Sequence, residues 1–342
     1  AIVGPDVPNY VSNLVANVQP DGSVVITWDA PTKGASGGVF NPATVTYKIT
    51  RTIDGTASTI AEGLKELRYV DTPARAKNIR YDVQAVNAAG ESKIDIPTSV
   101  SIFESTLADI NATPGAVKDN SLSRVPMELT SRYSVFQTIY YPEELGFVTG
   151  DINHIIYKVA HGMESTINVP ARVYISSTDL ADLSGKWAPV AADDLVFEGT
   201  FDISWGDNDM IVTLDKAFGY KGGNIVVTVI KDESPNGSYS DRFYAKATSH
   251  ANRTYSYSTY YKVEIDNLPT GTSSYSTILN DQAPATRFII APKNVGALSG
   301  KITNEATGAA VKATVSVPAY EGMTTTTDAD GNYRFAYVPA DA

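Results

Sequence analysis

The side chains that could do chemistry in this chain are few. His154, His161 and His250 are its only imidazoles, and it has no cysteine. Nucleophilic catalysis needs a nucleophile, a base and an orienting group in contact, and the base is normally histidine. Here His154 falls inside an alternating, strand-like stretch, His161 in a glycine-containing turn and His250 in a polar loop. No G-x-S-x-G elbow, H-E-x-x-H zinc frame or phosphate-cradling glycine loop accompanies them. Lone histidines are more often structural than catalytic, so no catalytic residue is assigned and the chain reads as a non-enzyme.

Acidic side chains offer a different chemistry. Asp193-Asp194 and Asp207-Asn208-Asp209 fall in loops that bound strands. Such acids commonly form turns by accepting backbone hydrogen bonds. The sharper alternative is a structural Ca2+, because this hard cation takes six to eight oxygens from carboxylates, amides and carbonyls on irregular loops. Asp207, Asn208 and Asp209 are the metal candidates, although the EF-hand frame is missing. The sequence Asp328-Ala329-Asp330-Gly331-Asn332 reads as a hairpin turn.

Tyrosine is the remaining feature, with 20 Tyr against 10 Phe and 3 Trp. Tyr255, Tyr257, Tyr260 and Tyr261 follow Tyr239 and Tyr244 and are the ligand-binding candidates. Exposed tyrosines stack on sugar rings or form protein-binding surfaces at low entropic cost. Cross-strand aromatic pairing is the structural alternative. Period-two alternation puts Tyr255, Tyr257 and Tyr261 on one face and Tyr260 on the other, so about half of them are expected in a core.

The elements that must position these groups are strands. Val24–Trp28, Val45–Ile49 and Tyr81–Val86 alternate with period two, and Pro20-Asp21-Gly22, Asp54-Gly55 and Asn87–Gly90 mark turns between them. Similar stretches recur at Ser131–Tyr140, Ile152–Val159, Ala171–Ile175, Leu195–Phe201, Met210–Leu214, Asn224–Ile230 and Tyr255–Ile265. Only Ser177–Leu183 offers a short helix. The expected fold class is therefore all-β, with a sandwich over 1–103, a larger jelly-roll sandwich over 105–292 and a partial small sandwich over 294–342.

Charge excludes one class of partner. The net charge is −11 and the pI about 4.8, which argues against nucleic acid. Basic residues such as Arg75, Lys77 and Arg80 are scattered, and residues 104–293 hold 23 acidic against 15 basic side chains. No stretch approaches the ~20 apolar residues of a membrane span. Ala1–Asn9 reads as a linker, so the chain is expected to be a mature or excised piece joined to the remainder of a longer parent chain. The glycine-rich insertion Lys33–Asn41 reads as a mobile loop.

Three resemblances sharpen this picture. "SVVITWDAP" with Trp28 and Pro31, "VTYKITR" with Tyr47, and "YDVQAVNAAGES" with Tyr81 resemble a fibronectin type III domain. No Arg-Gly-Asp tripeptide is present. "YSVFQTIYYPEELG", Val148–Ile155, "ARVYISSTDLADLSGKW" and the run from Leu195 to Ile230 resemble the cleaved adhesin domain of Bacteroidetes surface haemagglutinins and proteases. "LSGKITNEATGAAVKATVSV" followed by "TTDADGNYRFAYVPA" resembles about half of a carboxypeptidase regulatory-like domain. These resemblances imply a secreted or outer-cell-surface adhesion array whose jelly roll binds an extracellular glycan or a host or matrix protein. The adhesin resemblance also implies calcium on the sandwich. An accessory region of a secreted hydrolase and a structural stalk are the alternative settings.

Overall fold

The computed structural model describes residues 4–19, 22–74, 76, 78–104, 106–113, 124–162, 166–184, 186–233, 242–268 and 276–340. Arg75, Lys77, Tyr239 and the Pro20-Asp21 part of one expected turn lie outside these residues. The protein is all-β, with 55% of its residues in strands and 3% helical. It divides into two compact units, and the segment expected as a third domain belongs to the second of them.

Unit 1 comprises Ala1–Glu104 with Lys158–Ile167 and Asp202–Met210. Its first strands are β1 (Ser12–Val18), β2 (Val24–Asp29), β3 (Thr46–Ile53), β4 (Thr56–Leu64), β5 (Arg68–Asp71), β6 (Ile79–Asn87), β7 (Gly90–Glu91) and β8 (Thr98–Val100). One sheet has the order β1-β2-β5, and the opposite sheet runs β4-β3-β6-β8 with the short β7 on β6. This is the sandwich that the fibronectin type III resemblance implies. Alternation is what builds it: β2 buries Val24, Ile26 and Trp28 and turns Val25 and Thr27 outward. Trp28 meets Tyr47 edge-on at 5.3 Å between ring centroids. Fully burying each such side chain contributes about 1.5–3 kcal/mol. Tyr81 carries its hydroxyl into this core and donates to Asp71 Oδ2 at 2.7 Å, while Arg51 Nη1 donates to both oxygens of the same carboxylate.

Unit 2 comprises Ser105–Tyr157, Asn168–Phe201 and Ile211–Ala342. The strands continue with β9 (Ala108–Asn111), β10 (Tyr133–Tyr140), β11 (Gly150–His161), β12 (Ile167–Thr178), β13 (Leu195–Ile203), β14 (Gly206–Tyr220) and β15 (Asn224–Lys231), of which residues 158–161, 167, 202–203 and 206–210 belong to unit 1. Then come β16 (Arg242–Phe243), β17 (Ala245–Ala247), β18 (Thr254–Thr259), β19 (Ser276–Asn280), β20 (Gln282–Pro284) and β21 (Thr286–Pro292). One sheet has the order β13-β12-β15-β10-β18-β19, and the other contains the run β14-β11-β21-β9. Without β18 and β19, an insertion that extends the first sheet, this is the two-sheet strand order of a jelly roll.

β10 departs from its expected alternation, since all eight of its residues are buried. Its even-numbered residues face the core between the sheets, where Tyr140 meets Phe288 at 4.9 Å. The outer face is covered too. Tyr133 and Val135 pack with Val263, Trp187 and Val190, and Ile139 packs with Leu183 and Ala188. Gln137 fastens this cover by donating to Ala188 O at 3.0 Å and accepting from Ala188 N at 2.7 Å. A strand covered on both faces loses the two-residue signature of a half-exposed one. The cover also corrects the expected helix at Ser177–Leu183. Ser177 and Thr178 end β12, and the irregular chain beyond is held by Leu183 N donating to Asn252 O.

Residues 293–340 add β22 (Val295–Lys301), β23 (Thr314–Ser316), β24 (Thr324–Thr326) and β25 (Asn332–Pro339), paired as β22-β25 and β23-β24. Met323 and Phe335 are its buried large hydrophobics among the described residues. Asp328 shapes the turn before β25, its Oδ1 accepting from the backbone N–H groups of Asp330 and Asn332. The turn is as expected, but it does not close a hairpin, because β24 pairs with β23 and β25 with β22.

Candidate functional site

The three histidines occupy three separate settings. His154 Nδ1 lies 3.1 Å from Thr213 Oγ1 on a half-buried strand position. His161 is buried at the end of β11, not in a turn. His250 stacks on Tyr141 at 3.7 Å, with Nε2 3.2 Å from Glu143 Oε1.

Asp207, Asn208 and Asp209 open β14 and are engaged by protein groups of unit 1. The Asn208 amide nitrogen donates to three main-chain carbonyls, those of Ser204, Trp205 and Gly206, at 2.7–2.9 Å. Its Oδ1 accepts from Ser99 Oγ at 2.9 Å. Asp209 accepts from Ser101 N at 2.9 Å, and its other oxygen lies 3.5 Å from Lys158 Nζ. Asp207 N donates to Pro97 O, and the residue pairs in parallel with Thr98 of β8. Gly206 lies against the same proline, where a Cβ would come 2.4 Å from Pro97 O. Carbonyls that a calcium ion would need are taken by an amide donor, and a lysine stands beside one carboxylate. The triplet is thus a hydrogen-bonded clip, and among the described residues no group of three or more histidines, aspartates or glutamates is arranged to hold a metal. Asn208→Ala is expected to lower the stability of unit 1 by about 2 kcal/mol by orphaning buried acceptors. The loss should be equal in calcium and in EDTA, as thermal unfolding would show. Asp194 is likewise structural, accepting from Ser176 Oγ and Ala191 N.

The four tyrosines do not form one surface. Tyr255 is a core residue, 4.4 Å from Trp187 in edge-on contact, and Tyr257 is half-buried in the cluster around Val263. β18 ends at Thr259, so the alternation expected to carry Tyr260 and Tyr261 stops before them. These two rings are 64% and 80% exposed, and Tyr261 is the most exposed of the large hydrophobics among the described residues.

What holds the exposed pair is well defined. On one side Tyr257 packs inward. On the other, Val263 is buried and its carbonyl accepts from Arg172 Nη2 at 2.9 Å. Arg172 is clamped by Asp232 through two 2.8 Å contacts and by Glu264 at 2.9 Å. Lys262 reaches the second oxygen of Glu264. Lys262 first, then Arg172, holds the Glu264 carboxyl below its ordinary value. Tyr261 N donates to Thr259 Oγ1. The pair therefore projects from a bend whose two ends are anchored in the covered face of the sheet.

No family model and no curated protein matches the chain. Among solved structures, an Fn3-like protein from Clostridium thermocellum is similar at 21% identity, covering 29% of this chain and 97% of that one, with a TM-score of 0.23. The twitchin kinase region from C. elegans is similar at 22% identity over 29% of this chain and 17% of that chain, with a TM-score of 0.23. Streptomyces avermitilis alpha-L-rhamnosidase complexed with L-rhamnose is similar at 11% identity over 86% of this chain and 30% of that one, with a TM-score of 0.20. At such TM-scores the likenesses add nothing to the strand pairing on which the sandwich reading of unit 1 rests.

Two buried charged groups have no sequence signal. Arg253 is fully buried against Glu144, and Lys231 is fully buried with main-chain carbonyls as its acceptors. Neither is near its partner in sequence.

Proposed function

We propose that the chain is a non-catalytic, extracellular binding array in which unit 2 contacts a glycan or a protein through Tyr260 and Tyr261. The observation that supports this reading is the pair of adjacent, outward tyrosines on an anchored bend. A rigidly held aromatic gives apolar contact area without the ordering cost of a flexible side chain. The neighbouring charges are paired with one another, which leaves the rings as the prominent contact groups. The three histidines, each in its own setting, favour binding over hydrolysis.

The test is to probe the full chain on an array of immobilised glycans and matrix proteins, and to follow any bound glycan or protein for cleavage. Retention on at least one member with the member left intact is expected. Cleavage of the bound member would replace this reading with an enzymatic one.

A further inference from the structure

The glycine-rich loop Lys33–Asn41 was expected to be mobile, and it is instead closed around a carboxylate. Asp6 is 5% exposed, and one of its oxygens accepts from Ser36 N at 2.8 Å and from Gly38 N at 2.9 Å. The glycines are what allow this approach. A Cβ on Gly34 would fall 2.3 Å from Asp6 Oδ2, and one on Gly38 would fall 2.9 Å from Asp6 Cβ. Successive backbone N–H groups converging on one oxygen form an anion-binding nest. The Ser36 and then the Gly38 N–H hold the Asp6 carboxyl below its ordinary value.

The backbone around Asp6 is pinned to the loop by main-chain hydrogen bonds and two isolated bridges. Asp6 N donates to Val39 O, Val39 N to Gly4 O, Ala35 N to Val7 O and Asn9 N to Lys33 O. Pro5 bridges Val39 in parallel and Pro8 bridges Gly34 in antiparallel sense. From β6, Asn87 Nδ2 donates to Asp6 O at 2.8 Å. Beside the nest lies an open depression lined by Asn9, Thr32, Lys33, Gly37 and Phe40. Main-chain pairing supplies affinity and the carboxylate nest supplies selectivity, a division of labour shared with peptide recognition through backbone pairing.

We propose that loop 33–41 of unit 1 is a docking groove for an extended acidic peptide whose aspartate is flanked by prolines, filled in cis by residues 4–9. The prolines fit because they favour extended backbone and carry no N–H to leave unpaired. The carboxylate is the specificity element, since a neutral amide would set its own N–H groups or a weaker acceptor against the nest.

The test uses a full-length variant in which residues 4–9 are replaced by alternating Gly and Ser, and the peptide Gly-Pro-Asp-Val-Pro-Asn added in trans. The replacement should move the amide proton resonances of Ser36 and Gly38 upfield. Added peptide should return them toward their original positions, and the same peptide with Asn for Asp should bind at least tenfold more weakly. The unaltered chain, its groove filled, should not respond. Gly34→Ala in the unaltered chain should displace Asp6 and shift the same two amides. Failure of the peptide to move them, or equal binding of the Asn peptide, would overturn the proposal. So would Ser36 and Gly38 resonances unchanged by the replacement.

Discussion

Glu144→Ala should destabilise unit 2 by roughly 3–5 kcal/mol, because it strands a guanidinium that has no access to water. Arg253 is 0% exposed. Its Nη1 and Nη2 donate to the two Glu144 oxygens at 2.5 and 2.7 Å, and Nη2 also donates to Ile139 O at 2.6 Å. The guanidinium lies over Tyr140 and Tyr141, 5.5 and 5.3 Å from their ring centroids. Removing one partner of such a pair costs far more than removing both. The double variant Glu144→Ala, Arg253→Met should therefore recover most of the loss. Urea unfolding followed by the fluorescence of Trp187, the one tryptophan of unit 2, would read both numbers. A loss below about 1 kcal/mol for the single variant would mean that the charge is relieved by water or by movement.

The second large effect is a pH dependence from Lys231. Its side chain is fully buried, and its ammonium donates to Ser131 O at 2.6 Å and Arg132 O at 3.0 Å. Burial pushes its pKa down to about 8 from an ordinary 10.5, against the opposing pull of Glu128 and Asp232. The folded state thus sheds a proton that the unfolded chain keeps between these two values. This one group should add stability as pH climbs from about 8 to about 10.5, with its full penalty present below 8. Buried tyrosines such as Tyr81, Tyr140 and Tyr220, whose pKa values burial raises, take stability away as the unfolded chain loses its phenolic protons at about pH 10. The size of this contribution is on the order of 3 kcal/mol. Lys231→Met should remove this contribution, so that the original chain gains stability relative to the variant between about pH 8 and 10.5, and should leave the protein at least as stable at pH 7. Denaturant titrations at pH 7, 9 and 10.5 on both proteins would show it, and parallel curves would exclude Lys231 as the source.

These two sites also show what a sequence conceals. Alternation in Val24–Trp28 and Tyr81–Val86 was readable because each of those strands has one wet face, and the jelly roll was readable from strand number and spacing. β10 was also readable as a strand, but not its burial on both faces, because the segments around 183–190 and 263 that cover its outer side lie far away in sequence. The tyrosines illustrate the same limit. Period-two reasoning grouped Tyr255, Tyr257 and Tyr261, but the strand ends at Thr259, and a bend reverses which rings reach solvent. Asp207-Asn208-Asp209 looked like oxygen ligands because nothing local reveals that Ser99, Ser101 and Lys158 meet them from 50 to 110 residues away. Asp6 and the glycine loop lie about 30 residues apart, and neither alone suggests a closed nest. Local patterns encode strands, whereas charge pairing is decided by the fold that those strands build.

The most direct test of the binding account is a comparison of the full chain with its Tyr260→Ala, Tyr261→Ala variant on the same array of immobilised glycans and matrix proteins. Both rings are exposed, so thermal unfolding of the variant should match the original within about 0.5 kcal/mol. The account predicts that every member retained by the original chain loses at least tenfold in apparent affinity for the variant. Undiminished binding by a variant with unchanged stability would contradict it.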